Sequence, residues 1–441
     1  MSAFLIRTVP QETGIYFLAP ALLLGVGMGL LLKFLSGMRT AFVVALTAFA
    51  SIMAVNQIFP SHSVSVSGFM QRLKEQVEMG RQIPLEVRDV DKTGRFAKQR
   101  NLAAFADIRV QLFSRLPGPA RMLAFDSQGR LYVSIPKLGA IYQLTDNDGD
   151  GFADQPVLYH VGLDRPSGLL WQGDRLYVAE PSRLLQLRDV DQDNQVDEVK
   201  VVVAGLPDDG GHWTRSLAAG ADGYLYLSVG SRCNACEEAD PRRASVLRID
   251  PASGATTLFA KGLRNTVGLA FAADGKTLWG SDNGRDMLGD NLPPDEINQI
   301  ISGADYGWPY CYGDRIPDPE LSSRGRCEQT RSPAVELPAH SAPLGITFGD
   351  RLKAPDEFRN SLYVALHGSW NRRQPTGYKL IRIPFNSGRP SDSGREFLAG
   401  WLRDGKAWGR PVAPLVGPDG NLYLSDDRAD VIYRISWNLQ E

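Results

Sequence analysis

A short phrase recurs six times between Arg121 and Arg434, and each copy joins an apolar run, a turn and a Leu-Tyr or Leu-Trp segment. Turns such as Asp-Gly tolerate the positive φ of a tight hairpin, and the flanking apolar residues alternate as in half-buried strands. Six equivalent strand pairs around one axis predict a β-propeller. The copies are MLAFDSQGRLYVS, GLLWQGDRLYVAE, SLAAGADGYLYLS, GLAFAADGKTLWGS, GITF…NSLYVAL and PLVGPDGNLYLS.

The spacing of the copies predicts an all-β, six-bladed propeller over residues 106–437, because it is close to the roughly 45 residues of a four-stranded blade. The interval from Leu278 to Leu362 is long enough for a seventh blade, which is one alternative. A mainly β solenoid or sandwich is another. The leucines that mark the period are Leu131, Leu176, Leu225, Leu278, Leu362 and Leu422.

Two apolar segments precede the repeats, from Gly14 to Leu32 and from Ala41 to Phe59. Each is close to the roughly 20 residues that a membrane-spanning helix needs. They predict a membrane anchor of two transmembrane helices over residues 1–60. Lys33 and Arg39 lie in the short connection, so the positive-inside tendency predicts a cytoplasmic hairpin tip. The propeller is then expected on the periplasmic side of the inner membrane.

Residues 61–105 predict a stalk and linker. Phe69, Met70, Leu73 and Val77 have helical spacing, and a polar stretch rich in Arg and Lys follows from residue 88 to residue 100.

The four cysteines all follow residue 200, and an even count is typical of an oxidising compartment. They predict the bridges Cys233–Cys236 and Cys311–Cys327. A zinc site needs a second pair at ligand spacing, which the second pair of cysteines does not provide. A reactive dithiol at Cys233-x-x-Cys236 remains an alternative.

A formal net charge of −2 argues against a nucleic-acid partner. Charge is therefore informative only in local clusters. Arginines precede five of the six phrases, where the entrances to the inner strands of a propeller converge on one mouth. Guanidinium groups crowded there repel one another unless an anion lies among them, so an anionic ligand is expected. The alternative is that each arginine pairs with a neighbouring acid such as Asp164, Asp282 or Asp286. The five are Arg121, Arg165, Arg215, Arg264 and Arg410.

The chain resembles the glucose/sorbosone dehydrogenase family of quinoproteins over residues 108–437. The matching motifs, in the family's order, are Gly-x-Arg-Asn-x-x-Gly-Leu-Ala-Phe at 262–271, Ser-Asp-x-Gly at 281–284, Asp-Glu-Ile-Asn at 295–298 and Tyr-Gly-Trp-Pro at 306–309. The segment HWTRSLAAGADGYLYLSVGS is similar to the family's active-site histidine segment. The segments GSRCNACEEADPRR and YGWPYCYGD resemble the L-sorbosone dehydrogenase branch in particular. The family fold is a six-bladed propeller.

The resemblance implies pyrroloquinoline quinone (PQQ) with Ca²⁺ as cofactors and His212 as the general base that removes a sugar hydroxyl proton. A histidine such as His212, taken alone, is more often a structural hydrogen bonder, and it is the surrounding match that favours catalysis. Arg264, Asn265 and Arg410 match cofactor-contacting positions, and Arg121, Arg165, Arg215 and Asn283 are further candidates. The backbone around Asn283, Gly284 and Arg285 matches the segment that holds the cofactor's Ca²⁺.

Three residues depart from the family pattern. Arg285 stands where better-known members have Pro, Trp213 where they have Asn, and Val412 where they have a second Arg. The family's quinone-contacting lysine has no clear counterpart, and Arg372, Arg373 and Lys379 are candidates. His340 and His367 are expected to line the pocket or to cap strands. These departures affect the expected substrate more than the fold.

Two acidic loops carry the alternating oxygens of a calcium loop. The first has Asp146, Asp148, Asp150 and Asp154, with Gly151 at its sixth position, and the second begins at Asp189. A structural Ca²⁺ is expected at the first loop. The alternative at both is a solvated acidic turn.

These observations predict a membrane-anchored, PQQ-dependent sugar dehydrogenase that oxidises an aldose or L-sorbosone. Its partners would be the sugar, the membrane and an electron acceptor, either membrane quinone or a periplasmic carrier. A lactonase-type propeller hydrolase and a non-catalytic binding propeller are the alternatives.

Overall fold

All six recurring phrases form antiparallel strand pairs, and the two halves of each phrase are neighbouring strands. The structure is a computed structural model that describes residues 81–105, 107–322 and 327–438. The turn glycines of five phrases have positive φ angles between 62° and 83°, as the tight hairpins require. They are Gly129, Gly173, Gly223, Gly275 and Gly420.

Strands account for nearly all of the regular structure in the described part of the chain. The single α-helix there, α1, is one turn long (Asp356–Arg359), and 3₁₀ turns lie at Asp89–Asp91, Gly94–Phe96, Pro136–Leu138 and Cys327–Gln329. The strands are β1 (Arg81–Glu86), β2 (Asn101–Ala104), β3 (Ile108–Arg115), β4 (Leu123–Phe125), β5 (Leu131–Ile135), β6 (Ala140–Leu144), β7 (Val157–Val161), β8 (Leu169–Gln172), β9 (Arg175–Ala179), β10 (Leu184–Arg188), β11 (Glu198–Val203), β12 (Leu217–Ala219), β13 (Leu225–Val229), β14 (Ser245–Ile249), β15 (Thr256–Lys261), β16 (Thr266–Phe271), β17 (Leu278–Asp282), β18 (Asp295–Ile300), β19 (Cys311–Tyr312), β20 (Ile316–Pro317), β21 (Val335–Leu337), β22 (Pro343–Phe348), β23 (Ser361–Leu366), β24 (Lys379–Asn386), β25 (Arg389–Pro390), β26 (Arg395–Ala399), β27 (Leu402–Arg403), β28 (Lys406–Ala407), β29 (Pro411–Val416), β30 (Leu422–Asp426) and β31 (Val431–Trp437).

The strands form a propeller-like arrangement of sheets. Strands β4 to β7, β8 to β11 and β12 to β15 each form a four-stranded sheet, and β16, β17, β18 and β21 form a fourth. The orders β22-β23-β24-β26 and β29-β30-β31-β3 repeat this pattern, but β2 and β1 join them into one eleven-stranded sheet, in which β25 pairs with β24. The described residues are therefore all-β in architecture. The six-blade count stays a prediction.

The first strands of these groups follow one another around an axis. Strand β4 lies beside β8, β8 beside β12, β12 beside β16, β16 beside β22, β22 beside β29, and β29 beside β4. They enclose an axial cavity of about 410 Å³. Loops that lead into neighbouring first strands therefore meet at one end of this axis.

The last group of strands is completed by β3, which comes from the other end of the described chain. Strand β3 pairs with β31 in antiparallel register from Ile108↔Trp437 to Arg115↔Val431. The outermost strand of this group thus comes from a distant part of the sequence. The ring is closed by hydrogen bonds between strands from the two ends of the described chain.

The linker expected over residues 61–105 is wrong from residue 81 onward, and its earlier part lies outside the described residues. Strand β1 pairs with β2 and β3, and β2 also pairs with β26. Leu85, Phe96 and Leu102 are buried in the same core cluster as Trp401 and Tyr433. Pairing with strands some 300 residues away is invisible to local sequence patterns, so polar residues between short strands resembled a linker.

The two segments predicted to span a membrane lie outside the described residues. Among the helices of residues 81–105, 107–322 and 327–438, none has the length and apolar character that a membrane crossing requires.

Leu102→Ala tests whether β2 belongs to the folded core. Leu102 is fully buried, so removing its side-chain atoms should lower the free energy of unfolding by about 2–5 kcal/mol. Leu138 is 42% exposed, and Leu138→Ala in the same chain should change it by less than about 1 kcal/mol. Thermal unfolding of the two variants measures the difference. Equal stability would contradict the assignment of β2 to the core.

Candidate active site

Five loops at one end of the axis enclose a second cavity of about 180 Å³. They precede β12, β16 and β22, and they connect β17 to β18 and β23 to β24. Five predicted site residues line this cavity together, although they lie up to 72 positions apart in the chain: His212, Arg264, Asn265, Asn283 and Gly284. The other lining residues are Asp286, Asp295, His340, Ala342, Trp370 and Asn371.

His212 has one ring nitrogen engaged by the fold. Its Nδ1 lies 2.9 Å from the carbonyl oxygen of Ser231 and 2.9 Å from the Ser231 hydroxyl. A carbonyl oxygen only accepts hydrogen bonds, so Nδ1 must carry the proton and donate it. This tautomer leaves Nε2 as a hydrogen-bond acceptor on the ring that lines the cavity. Such an arrangement is typical of a general base.

The surroundings of His212 favour its neutral form. Burial and then the positive charge of Arg264 lower the pKa of His212 to about 3, with Arg243 and Arg215 adding to the effect and the Ser231 hydrogen bond opposing it. The imidazole is therefore uncharged at neutral pH.

Arg264 and Asn265 are positioned by the buried carboxylate of Asp282. Asp282 accepts the backbone N–H of Arg264 at 3.0 Å and that of Asn265 at 2.9 Å. Burial raises the pKa of Asp282 to about 6, although the neighbouring hydrogen bonds and Arg264 lower it. The Arg264 guanidinium donates to Asn234 and to the carbonyl of Asn283, and its Nη2 lies 3.4 Å from Asp286. One side of the cavity is thus fixed by a network anchored in the sheet.

The segment expected to hold a calcium ion is also closely bonded within the protein. The Gly284 N–H donates to Asp295, and the Asn283 carbonyl already accepts from Arg264. The Arg285 guanidinium is buried and forms two bonds to Asp318, at 2.8 and 3.0 Å. Its side chain therefore belongs to a salt bridge outside this cavity rather than to the cavity itself.

The remaining predicted arginines also have partners within the protein. Arg215 is fully buried and donates to three carbonyl oxygens, including that of His212. Arg410 donates to the carbonyls of His367 and Gly368. Arg121 pairs with Asp427 at 2.9 Å, and Arg165 with Asp164 at 3.1 Å. The crowding of arginines therefore does not by itself require an anionic ligand, because backbone carbonyls and acids satisfy these groups.

Arg121 and Arg165 still form one recognisable group. Both guanidinium carbons lie 5.9 Å from the ring centroid of Trp213, the residue that follows His212. Burial lowers the pKa of His367, which donates to Asp427, to about 4. Asp427 therefore links Arg121 and His367 at the same end of the axis.

Three residues were candidates for the counterpart of the family's quinone-contacting lysine, and each has a partner within the protein. Lys379 pairs with Glu396, Arg373 pairs with Asp290 at 2.9 Å, and Arg372 donates to the carbonyl of Ala339 at 2.9 Å.

Sequence patterns missed Ser231, Trp370 and Asn371. All three lie in loops, where neither strand periodicity nor the repeat applies. The segment from His367 to Arg373 follows a phrase directly, and its position after the second strand was the only signal that could have identified it.

The predicted disulfide bonds are confirmed. Cys233–Cys236 has a Cα–Cα distance of 6.1 Å, and Cys311–Cys327 has one of 5.7 Å. The first bond lies next to the site, since the Ser231 hydroxyl donates to the Cys233 carbonyl at 2.8 Å.

The two acidic loops have matching geometry. Carboxylate oxygens of Asp146, Asp148 and Asp150 lie within 4.8 Å of one another, as do those of Asp189, Asp191 and Asp197. Asp154 instead accepts three hydrogen bonds from Thr145 and Asn147. Calcium binding at the first loop stays a prediction.

The fold and this mouth define a class of propeller-like proteins with a polar site at the end of the axis. The family model described as TrAA12-like matches residues 109–438, and the chain belongs to that family. An uncharacterised protein of Borreliella burgdorferi is 32% identical over 289 residues, which are 62% of this chain and 76% of that protein.

Other relatives carry descriptive names. A pyrroloquinoline quinone-dependent pyranose dehydrogenase of Coprinopsis cinerea is 35% identical over 125 residues, 23% of this chain, and the match spans only 16% of that protein. The carbohydrate-active enzyme family AA12 structure from Trichoderma reesei has a TM-score of 0.67 at 22% identity, covering 76% of this chain and 97% of that one. The soluble aldose sugar dehydrogenase of Escherichia coli has a TM-score of 0.58 at 17% identity, covering 75% and 99%. At these identities the structures show a shared fold.

The protonation state of His212 can be measured directly. Its pKa is lowered from 6.5 to about 3, so the neutral ring contributes stability above pH 6.5, and this contribution is lost as the pH falls from 6.5 towards 3. In the full chain with ¹⁵N-labelled histidine, the His212 signals should show Nδ1 protonated and should not change between pH 8 and pH 5. His212→Asn assigns the signals. A titration midpoint near 6.5 would contradict the buried, neutral state.

Proposed function

We propose that this protein is a PQQ-dependent oxidoreductase that acts on sugars. The observation that carries the proposal is the neutral His212, whose free Nε2 lies at a cavity shared with the Arg264-Asn265 pair. The names of the relatives from Coprinopsis cinerea and Escherichia coli support the same reaction class.

The residues of the cavity fit a planar, anionic quinone with a pyrrole N–H. The side-chain oxygen of Asn265 is buried, and no described residue donates a hydrogen bond to it. A ligand N–H would satisfy this oxygen, since a buried acceptor without a donor costs free energy. Arg264 and Asn265 would hold the cofactor, and Arg410, Arg121 and Arg165, which do not line this cavity, are further candidates for its carboxylates. When bound, PQQ supplies the acceptor for two electrons.

The protein's own contribution is proton transfer and positioning. The sugar loses the proton of its hydroxyl group to Nε2 of His212, while the hydrogen on the same carbon leaves as a hydride with its electron pair. A C=O bond forms in the sugar as the two hydrogens depart. Ser231 keeps the ring in the accepting tautomer.

A lactonase-type hydrolase would need carboxylates that converge on a metal ion. Asp164, Asp282 and Asp286 are the acids that could contribute, and each accepts hydrogen bonds from protein donors. In the part of the chain that the structure describes, the close groups of aspartates lie in the two acidic loops. No observation favours the hydrolase.

We further infer six blades, by counting the eleven-stranded sheet as two blades that β1 and β2 connect. The inference is supported by the repeated four-strand order and by the succession of six first strands around the axis.

Membrane anchoring, periplasmic location and electron transfer to membrane quinone or a periplasmic carrier are part of the same proposal. Two apolar segments before residue 60 and two disulfide bonds support it. The full chain should sediment with membranes and resist extraction by carbonate, whereas a chain that stays in the supernatant would contradict the anchor. Which sugar is oxidised, an aldose or L-sorbosone, is the finer part of the proposal.

His212→Asn should lower the rate of sugar oxidation by about 10²–10⁴-fold, because the variant lacks the basic nitrogen. The full chain is loaded with PQQ and Ca²⁺, and reduction of the quinone is followed by absorbance after addition of aldoses and L-sorbosone. His160→Asn is the matched control, since His160 lies on β7, the outermost strand of its sheet. Equal rates in the two variants would refute the role of His212, and a folded chain that binds no quinone would refute the cofactor.

A further inference from the structure

The amide of Asn371 has a defined orientation and an unsatisfied oxygen. Its Nδ2 lies 2.7 Å from Oδ1 of Asp286, and only the amide nitrogen can donate to a carboxylate. The Asn371 oxygen is then fixed on the other side. It is buried, lines the cavity beside His212, and receives no hydrogen bond from the described residues. A ligand that donates a hydrogen bond would complete this site.

The loop that carries Asn371 is cross-linked to the loop between β17 and β18. Besides the Asn371–Asp286 bond, Arg373 pairs with Asp290 at 2.9 Å and Arg372 donates to Asn291 at 3.3 Å. His340 Nε2 donates to the carbonyl of Gly289 in the same loop at 2.8 Å. Three polar contacts hold these two loops in register, and His340 adds a fourth contact from the loop before β22, so the position of Asn371 is set by the fold.

Trp370 provides apolar surface next to the unsatisfied oxygen of Asn371. It precedes Asn371, lines the same cavity and is 69% exposed, although large aromatic residues are usually buried. Met287, also 69% exposed, follows Asp286 on the facing loop. The rim of the cavity therefore combines exposed apolar surface with buried acceptors.

The acceptors of the cavity specify the chemistry of the missing ligand. Asn371 Oδ1, Asp286 and His212 Nε2 all accept. The pyrrole N–H that PQQ would donate is assigned to the Asn265 oxygen, and the carboxylates and carbonyls of PQQ accept, so they cannot complement these three groups. Sugar hydroxyl groups are donors, and the C–H face of a pyranose ring is apolar enough to pack on an indole. An amphipathic ligand of this kind matches both the exposed indole and the buried hydrogen-bond acceptors of the cavity.

We propose that Trp370 and Asn371 form the sugar-binding subsite, in which the indole packs against the ring and the Asn371 oxygen accepts one hydroxyl. This inference rests on the proposed function and names the residues that determine its substrate affinity. A divalent cation would also satisfy amide and carboxylate oxygens, but it would leave the exposed indole without a partner. The sugar is therefore the occupant that accounts for both residues.

Two variants test the subsite in the full, PQQ-loaded chain. Trp370→Ala should raise KM for D-glucose at least tenfold and change kcat by less than threefold, since the lost contact is made equally in the ground and transition states. Trp370→Phe should restore most of the affinity. Leu258→Ala, which removes a 47% exposed side chain from β15, is the control and should leave KM unchanged.

Deoxy sugars locate the hydroxyl that Asn371 accepts. In the parent protein one of the 2-, 3-, 4- or 6-deoxyglucoses should bind at least fivefold more weakly than glucose. In Asn371→Ala this penalty should disappear for that sugar alone. Binding is measured by saturation-transfer NMR, which does not depend on turnover, and circular dichroism checks that the variants are folded.

The outcomes separate this inference from the proposed function. If glucose is oxidised but both variants keep the parent KM and the deoxy penalties, the subsite is wrong and the function stands. If no sugar reduces the quinone but NMR shows glucose binding that Trp370→Ala removes, the subsite stands and the reaction is wrong. If Ca²⁺ binding rather than sugar binding is lost in Asn371→Ala, the cavity holds a cation and the subsite is overturned.

Discussion

The structure depends on buried serine hydroxyl groups that fasten one group of strands to the next at five of the six junctions around the axis. Each hydroxyl is buried and donates to a carbonyl oxygen at or before the first strand of the following group, where no water can replace the bond. Two of these carbonyls belong to Arg121 and Arg215, which lead into β4 and β12. The bonds therefore fix where the mouth loops enter the ring. They run from Ser134 to Ser167, from Ser167 to Arg215, from Ser216 to Val267, from Ser281 to Leu344 and from Ser425 to Arg121.

Buried acidic residues at the ends of β9, β17 and β30, the second strands of their groups, connect the ring of strands to the loops of the site. Glu180, Asp282 and Asp426 each accept the backbone N–H of the loop that leads into their own group of strands. Burial raises the pKa of Asp282 and that of Asp426 to about 6, and the converging N–H groups oppose this rise. Arg264 and Arg410 are the residues held in this way, so the arginines of the mouth are placed by acids that never reach the cavity.

Sequence patterns predicted the repeated part of this arrangement well. The strand pairs, the turn glycines and both disulfides followed from local chemistry, and the motif around Arg264 and Asn265 led to the cavity. They failed for β1 and β2, whose partners are β3 and β26, and for Arg215, whose partners are backbone carbonyls. Both errors have one cause, because a sequence shows side-chain types but not which distant backbone groups the fold brings near them. Trp370 and Asn371 were missed because they lie in a loop to which neither the strand periodicity nor the repeat applies.

The site therefore has two parts that different interactions hold in position. His212, Arg264 and Asn265 lie on loops that lead into first strands, where serine and carboxylate bonds to the ring fix their positions. Trp370 and Asn371 lie on a longer loop between β23 and β24, and side-chain bonds to the loop between β17 and β18 hold it in place. Such a loop can change its length and residues without disturbing the ring. It follows that the ring constrains the positions of His212, Arg264 and Asn265 much more tightly than the residues of this loop, and that substrate choice has to be determined from the loop residues themselves.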